Sequence, residues 1–193
     1  MTATTLVAPA KLTVSLRVTG VRADGMHLID AEMVTVDLVD LLTFSDGDGL
    51  EIEGATGLPV TADDDNLVRR ALRLIDRRAQ VRLVKRIPAG AGLGGGSADA
   101  AAVFRWAGID DVDLAASLGA DVPFCLAGGR ARVTGIGEVI EPLEPVADVF
   151  TLVTPPFGCS TPAVYRAWDE LGGPTATGPN DLEPAALVVE PRL

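Results

Sequence analysis

Apolar and polar residues alternate along the first part of the chain and predict a largely antiparallel β region. A period of two runs through Leu6–Val18, and Pro9 inside it indicates an edge strand or a bulge. A polar connection over Thr19–Asp30 leads to a second strand-like stretch, Glu32–Phe44. A short strand, Leu50–Glu53, follows two Asp-Gly turn signals.

The pattern then changes to helical spacing on either side of one more strand. A loop over Ala55–Asp65 leads into an amphipathic helix predicted over Asn66–Ala79. The strand Val81–Ile87 follows, and the alanine-rich run Ala98–Trp106 favours a helix. Gly108 is expected to end that helix.

The last third of the chain predicts short elements separated by Gly and Pro. A short helix over Val112–Leu118 is followed by a hairpin around residues 134–137 and a strand over Phe150–Val153. A helix over Thr161–Leu171 has Thr161 as its predicted N-cap. The stretch Leu182–Leu193 also reads as helix-bearing.

Composition narrows the class of protein. With 193 residues and 48% hydrophobic content the chain can bury a core, and its net charge of −11 argues against a general nucleic-acid or anionic-membrane surface. No signal peptide or transmembrane stretch is recognisable, and the two cysteines, Cys125 and Cys159, are too few for a disulfide framework. A cytoplasmic protein with reduced thiols is expected.

The most informative stretch is Gly90–Ser97, between a predicted strand and a predicted helix. Five of its eight residues are glycine, which lets a ligand approach the backbone N–H groups closely. Ser97 stands where a helix N-cap is expected. The N–H groups and the positive end of the helix dipole together indicate a phosphate site, and the alternative is a plain loop.

Other phosphate-binding motifs fit this stretch poorly. Gly90, Gly92 and Gly95 match the G-x-G-x-x-G dinucleotide pattern, but Asp110 and Asp111 follow no strand and resemble a helix start. No lysine precedes Ser97, so a Walker A loop is excluded. The catalytic motifs of protein kinases are also missing from the sequence.

Local pattern says little about three polar residues. Lys11 reads as an ordinary exposed lysine of a strand, and His27, the one histidine, as a surface residue of a turn. Asp121 lies after the predicted helix Val112–Leu118 and before Pro123, in a segment expected to be extended.

Three separated segments resemble those of the galactokinase, homoserine, mevalonate and phosphomevalonate (GHMP) kinases. They are Pro9–Lys11, Pro88–Ala101 and Gly119–Phe124. Within that superfamily the segments Arg22–His27, Lys85–Pro88 and Gly135–Glu138 are most similar to the 4-diphosphocytidyl-2-C-methyl-D-erythritol kinase family. The resemblance implies a kinase of the non-mevalonate isoprenoid pathway that moves the γ-phosphate of ATP to the 2-hydroxyl of that compound.

The resemblance also implies roles for individual residues. Lys11 and Asp121 match the catalytic lysine and aspartate, and Thr13, Met26, His27 and Tyr165 match the substrate-binding positions, with Met26 and Thr13 standing where Tyr and Asn are usual. The positions matching ATP-binding residues are Asn66, Lys85, Pro88, Gly90, Gly92, Leu93, Gly94, Gly95, Gly96 and Ser97. Magnesium is the implied metal, with Ser97 as a candidate ligand.

The family fold is α+β. It implies an ATP-binding domain over residues 1–148, like domain 2 of ribosomal protein S5, and a ferredoxin-like domain beginning at residue 149. Because a second glycine-rich motif expected near the family's C-terminus is missing, the second domain is expected to be incomplete in this chain. A GHMP kinase for another small alcohol and a non-catalytic nucleotide-binding relative remain as alternatives.

Overall fold

In the computed structural model, which describes residues 3–54, 58–173 and 176–193, two long strands pair antiparallel from end to end. Strand β1 spans Thr4–Val21 and strand β2 spans His27–Ser45. The turn between them is only Arg22–Met26, closed by the Arg22 N–H donating to the Met26 carbonyl at 2.8 Å. The polar connection predicted over Thr19–Asp30 is therefore shorter than expected, because ladder pairing continues through its polar residues.

Four shorter strands complete the sheet within the described residues. They are β3 (Gly49–Glu53), β4 (Gln80–Val84), β5 (Arg130–Gly135) and β6 (Val139–Pro142). The order is β3-β4-β2-β5-β6, and among these strands β1 pairs only with β2, which confirms it as an edge strand; its outer side forms a single bridge from Leu16 to Asn180. β3 pairs parallel to β4 rather than antiparallel, because a helical crossover connects the two strands.

Six helices are described, and most lie where the sequence predicts them. They are α1 (Leu67–Leu74), α2 (Gly95–Ala107), α3 (Val112–Ala116), α4 (Val122–Ala127), α5 (Thr161–Glu170) and α6 (Glu183–Val189). Helix α1 ends before Ala79 because Asp76 adopts a positive φ of 50°. Ser160, not Thr161, occupies the N-cap position of α5. Of the predicted loop Ala55–Asp65, residues 55–57 lie outside the described residues.

Helix α2 is the centre of the larger hydrophobic core. Its residues from Ala98 to Phe104 are all buried, and the alanines allow close packing of α2 against α1 and the strands β1, β2 and β4. Gly108 ends the helix in the left-handed conformation, and the Ile109 N–H donates to the Phe104 carbonyl at 2.9 Å. The core thus holds the N-terminus of α2 on the sheet.

A second hydrophobic cluster joins the other half of the sheet to the C-terminal helices. Leu16, Ile29 and Val133 of the strands pack with Val164 of α5 and Ala185 of α6. The strand predicted over Phe150–Val153 is wrong, because residues 143–159 form no regular element and Val153 is 87% exposed. A strand needs a neighbour to pair with, and no described strand runs beside this segment.

Candidate functional site

The loop Gly90–Gly94 joins the β4 side of the sheet to α2 and exposes backbone donors. Gly90, Gly92 and Gly94 all have positive φ, which turns the chain sharply into the helix. Among the described residues no acceptor takes a hydrogen bond from the N–H groups of Gly92, Leu93 and Gly94. A Cβ added at Gly92 would meet nothing within 4 Å, so the backbone is open to a ligand. These donors and the N-terminus of a 13-residue helix form an anion site.

The position of Ser97 differs from the prediction. Gly94 is the N-cap, with φ 66° and ψ 23°, and Ser97 is the third residue of α2. The helix begins earlier because glycine enters the left-handed region without steric cost, which Ser97 could not do. Ser97 still lies in the first turn, half-buried beside the free N–H groups.

Strand β1 carries Lys11 to this loop. The Lys11 N–H donates to the Leu93 carbonyl at 3.0 Å, so the strand and the loop are joined by backbone. A Cβ at Gly94 would lie 2.8 Å from Lys11 Cγ, which shows how closely the lysine stem crosses the loop. The loop therefore needs glycine here for contact as well as for conformation.

Lys11 and Asp121 form an ion pair at the edge of the loop. Lys11 Nζ lies 3.4 Å from Asp121 Oδ2 and donates to Thr13 Oγ1 at 3.1 Å. The Lys11 side chain is 10% exposed and the Asp121 side chain 33% exposed, so the carboxylate is the more open of the two. A carboxylate held beside an ammonium and next to an anion site can receive a proton where phosphate chemistry takes place.

Asp121 does not precede an extended segment as predicted. It is the residue before α4, with φ −87° and ψ −12°, and Pro123 lies in the first turn of that helix. Proline fits there because the first helical N–H groups have no intrahelical partner to lose. The Asp121 side chain makes no capping hydrogen bond, so its carboxylate is free to face Lys11.

Lys85 lies beneath the loop in a buried ion cluster rather than at its surface. Its Nζ bonds to Asp40 and, at 2.7 Å, to Asp99, and all three residues are at most 4% exposed. Asp40 also accepts the N–H groups of Arg86 at 2.5 Å and Ile87 at 2.8 Å, which orders the chain just before the loop.

The charges of this cluster do not balance. Burial raises the pKa of Asp99 to about 7 in spite of the Lys85 charge beside it, and Asp99 Oδ1 has no partner among the described residues. Burial also acts to lower the pKa of the Lys85 ammonium, but the carboxylates of Asp99 and Asp40 outweigh it. The ammonium stays charged and cannot reach a ligand above the loop without leaving both carboxylates.

The other residues predicted to bind ATP surround the loop. The side chain of Asn66 accepts the Val68 N–H at 2.9 Å and donates to the Thr61 carbonyl at 2.8 Å, so it serves as the N-cap of α1. Pro88 is half-buried and leads into the loop, while Leu93 is buried beneath it. The positions in the loop and the first turn of α2 that keep backbone at or near the surface are Gly90, Gly92, Gly94, Gly95 and Gly96.

A second group of predicted residues meets at the start of β2. His27 packs against Tyr165 with ring centroids 4.6 Å apart and ring planes tilted by 35°, and its Nε2 lies 2.8 Å from Asp169 Oδ1. Burial raises the pKa of the Tyr165 hydroxyl, and the Asp121 charge raises it further. Met26 is 43% exposed beside it.

Two residues of this group were not predicted. Trp168 meets His27 edge-on at 5.6 Å between centroids, and Asp169 holds the imidazole. They follow Tyr165 by three and four positions on α5 and so share its face. The spacing of three and four residues from Tyr165 could have indicated both residues, but no pattern in the sequence predicts that α5 packs against His27.

A metal site built by protein side chains alone is not found. Within the ranges that the structure describes, no three His, Cys, Asp or Glu side chains are arranged to hold a metal ion.

None of the described helices has the length and apolar content that crossing a membrane requires.

Comparison with known proteins shows which family the chain resembles. Residues 66–129 match the model of the GHMP kinases N terminal domain, which covers the loop and Asp121. The chain is 40% identical over 207 aligned residues to the 4-diphosphocytidyl-2-C-methyl-D-erythritol kinase of Paracoccus denitrificans (strain Pd 1222), covering 96% of this chain and 75% of the relative. The protein of the same name from Paramagnetospirillum magneticum (strain ATCC 700264 / AMB-1) is 37% identical, with coverages of 99% and 79%.

Solved structures give the same result for the fold. A crystal structure of 4-(cytidine 5'-diphospho)-2C-methyl-D-erythritol kinase superposes with a TM-score of 0.67 at 31% identity, covering 98% of this chain and 80% of the other. A Listeria innocua protein, Lin0012, shares the fold at 18% identity, with a TM-score of 0.60 and coverages of 88% and 65%. The mixed α/β architecture is thus that of a GHMP kinase.

Proposed function

The chain belongs to the 4-diphosphocytidyl-2-C-methyl-D-erythritol kinase family of GHMP kinases, and from this premise we propose that it transfers the γ-phosphoryl group of ATP to the 2-hydroxyl of that alcohol. One observation carries the proposal. The Lys11–Asp121 ion pair, 3.4 Å between Nζ and Oδ2, stands at the edge of a loop whose N–H groups are free.

The residues divide the work of the reaction between them. The N–H groups of Gly92, Leu93 and Gly94 and the N-terminus of α2 hold the phosphates. Asp121 accepts the proton as the O–H bond of the alcohol breaks. The alcohol oxygen bonds to the γ-phosphorus and ADP leaves with the former bridging oxygen. Lys11 pairs with Asp121 and stabilises negative charge that develops on the transferred group.

Magnesium accompanies the nucleotide in this proposal. The Ser97 hydroxyl, in the first turn of α2, would be a protein ligand for it, together with oxygens of the bound phosphates. A bound magnesium ion neutralises phosphate charge and so lowers the repulsion that the attacking oxygen meets.

We assign different residues to the adenine base and to the loop. Asn66 lies at the N-cap of α1, where its side chain is already hydrogen-bonded. We therefore propose that Asn66 lies beside the adenine and contacts it through its backbone and the accessible surface of its side chain. Lys85 is assigned to the support of the loop because its ammonium is buried.

The substrate side is formed by residues of β2 and α5. Tyr165 supplies an aromatic face and His27 a hydrogen bond for the cytosine ring, while Thr13 beside Lys11 faces the erythritol part. Because Nε2 of His27 points to Asp169, a neutral imidazole donates there and keeps a lone pair on Nδ1. That lone pair accepts from an amino group, which cytosine has and uracil lacks.

The finer domain description extends the proposal. Residues 1–148 correspond to a domain like domain 2 of ribosomal protein S5, and residues 149–193 to the start of a ferredoxin-like domain. The support is the membership of the family; the second hydrophobic cluster packs α5 and α6 onto strands of the first part, so the two parts share a core. The matched relative from Paracoccus denitrificans is longer, since the alignment covers 75% of it.

The function is tested by measuring ADP release with a panel of alcohols. We expect turnover with 4-diphosphocytidyl-2-C-methyl-D-erythritol and little with homoserine or mevalonate. Turnover only with another alcohol would support a different GHMP kinase, and saturable ATP binding without turnover on the panel would support a nucleotide-binding module. Either result would contradict the proposal.

Replacing His27 should affect recognition of the alcohol and not of ATP. His27→Ala removes one hydrogen bond worth about 1.5 kcal/mol, so KM for the cytidine substrate should rise about tenfold while KM for ATP stays the same. Asp169→Ala should raise the same KM by a smaller factor, because the imidazole remains but its tautomer is no longer selected.

Steady-state kinetics with the cytidine substrate and its uridine analogue check this prediction. The exposed residue Asp110 lies between α2 and α3, and Asp110→Ala is the control. Loss of discrimination between the two bases in both the His27 and Asp169 variants would support the assignment. Unchanged KM values in His27→Ala would mean that cytosine is bound elsewhere.

A further inference from the structure

The turn between β5 and β6, residues Gly135–Glu138, is packed against the backbone next to Asp121. Gly137 has φ +127°, and a Cβ there would lie well under 3.0 Å from the Ala120 carbonyl oxygen and 3.0 Å from the Ala120 carbonyl carbon. The neighbouring atoms belong to the main chain, which cannot move aside as a flexible side chain can. Only glycine allows the two turns to be this close.

The position of the Asp121 carboxylate depends on its backbone. Its side chain makes no capping hydrogen bond, and its described ion pair is the 3.4 Å contact with Lys11. The main chain is firmly held, since the Val122 N–H donates to the Gly119 carbonyl at 3.1 Å and the Cys125 N–H to the Asp121 carbonyl at 3.0 Å. A shift of Ala120 would therefore carry Asp121 with it.

The β5–β6 turn is itself rigid. The Glu138 carboxylate accepts the Ile136 N–H at 2.6 Å and fills the space beside Gly135, where a Cβ would overlap it. On its other side the turn is anchored to β2, because Gly135 pairs with Ile29, two residues after His27. The same turn thus touches the segment that carries Asp121 and the strand that carries His27.

We propose that Gly137 is a positioning residue which, through Ala120, sets the Asp121 carboxylate against Lys11 and the loop Gly90–Gly94. The proposal rests on the function proposed above, since it assigns Asp121 a catalytic role. It predicts that a side chain at position 137 displaces Asp121 without altering the loop that holds the nucleotide, because the three atoms nearest to a Cβ at this position all belong to Ala120.

The test compares Gly137→Ala with Gly129→Ala. Gly129 also has positive φ, +79°, but a Cβ there would meet nothing within 4 Å, so this variant suffers backbone strain without displacement of a neighbour. We expect kcat of Gly137→Ala to fall at least tenfold with KM for ATP within about twofold of wild type. Gly129→Ala should keep kcat near wild type, while its thermal stability should be similar to that of Gly137→Ala.

Two further variants separate positioning from simple loss of structure. Glu138→Ala removes the acceptor of the Ile136 N–H and loosens the turn without adding a clash, so kcat should fall less than in Gly137→Ala. Adding Ala120→Gly to Gly137→Ala removes a Cβ that would lie 3.1 Å from the new one and gives the chain more backbone freedom. Because the clash with the Ala120 carbonyl group remains, the double variant should recover only a small part of the lost kcat.

The outcomes are distinct. Equal kcat values for Gly137→Ala and Gly129→Ala in an active enzyme would overturn the positioning role and leave the proposed function intact. Inactivity of the wild type with every alcohol would refute the function instead. Crystal structures of both variants show whether the Asp121 carboxylate moves relative to Lys11. A carboxylate that has not moved in Gly137→Ala overturns the inference. Failure of that variant to fold leaves the decision to Glu138→Ala, whose unchanged kcat would overturn it.

Discussion

Asp121→Asn should lower kcat by about 10²- to 10⁴-fold, because an amide of nearly the same shape cannot accept the proton of the substrate hydroxyl. ATP binding should change little, since the loop Gly90–Gly94 and α2 do not use the Asp121 side chain. The ion pair with Lys11 is partly exposed, so its loss should reduce the free energy of unfolding by no more than about 1 kcal/mol.

The experiment measures ADP release under saturating substrates, ATP affinity by titration calorimetry and stability by urea unfolding. Asp110→Asn, at an exposed aspartate between α2 and α3, is the matched control and should behave as wild type. Lys11→Met should also lower kcat, since it removes the ammonium that pairs with Asp121 and stabilises negative charge on the transferred group. Full activity of Asp121→Asn would refute the assignment of the catalytic base.

Local features of the sequence predict the loop Gly90–Gly94 and its flanking elements well. The strand, glycine loop and α2 were recognisable because glycine turns and alanine-rich helices are decided within about ten residues. The error over Ser97 arose from the same local view, because serine is the commoner cap and only the positive φ of Gly94 shows that the helix starts earlier. Asp121 was misplaced because Pro123 is compatible with both an extended segment and a first helical turn.

Local sequence patterns do not predict contacts between distant parts of the chain. Lys11 and Asp121 are 110 positions apart in the numbering, and family resemblance, not pattern, brought them together. Lys85 lies among Arg82 and Arg86 in the sequence, and its local pattern does not distinguish it from these two arginines. Its partner Asp40 comes from β2, and neither residue's local pattern indicates that the other is buried beside it. Burial of charge is a property of the assembled fold.

Lys85→Met should be strongly destabilising. It removes the one cation of the described cluster and leaves the carboxylates of Asp40 and Asp99 buried without compensation. Breaking a buried pair in this way costs about 3–5 kcal/mol of unfolding free energy, which for a chain of this size lowers Tm by about 10 °C. Urea and thermal unfolding measure the loss.

Asp99→Asn is the matched variant that separates charge from volume. It removes the second carboxylate but keeps an oxygen that can accept from Lys85, and the pair with Asp40 remains neutral overall. The loss should therefore be below about 1.5 kcal/mol. In the double variant Lys85→Met/Asp99→Asn only Asp40 stays uncompensated, so Asp99→Asn should restore part of the stability lost by Lys85→Met.

ATP titration of the same variants distinguishes a buried support from a nucleotide contact. If the ammonium serves to hold Asp40 and Asp99 beneath the loop, folded Lys85→Met should bind ATP less tightly because the loop is disturbed. Adding Asp99→Asn should then improve both the stability and the ATP affinity of the double variant. If Lys85 touches the nucleotide directly, binding weakens at unchanged stability and Asp99→Asn cannot repair it. Full burial of the ammonium between two carboxylates favours the first outcome.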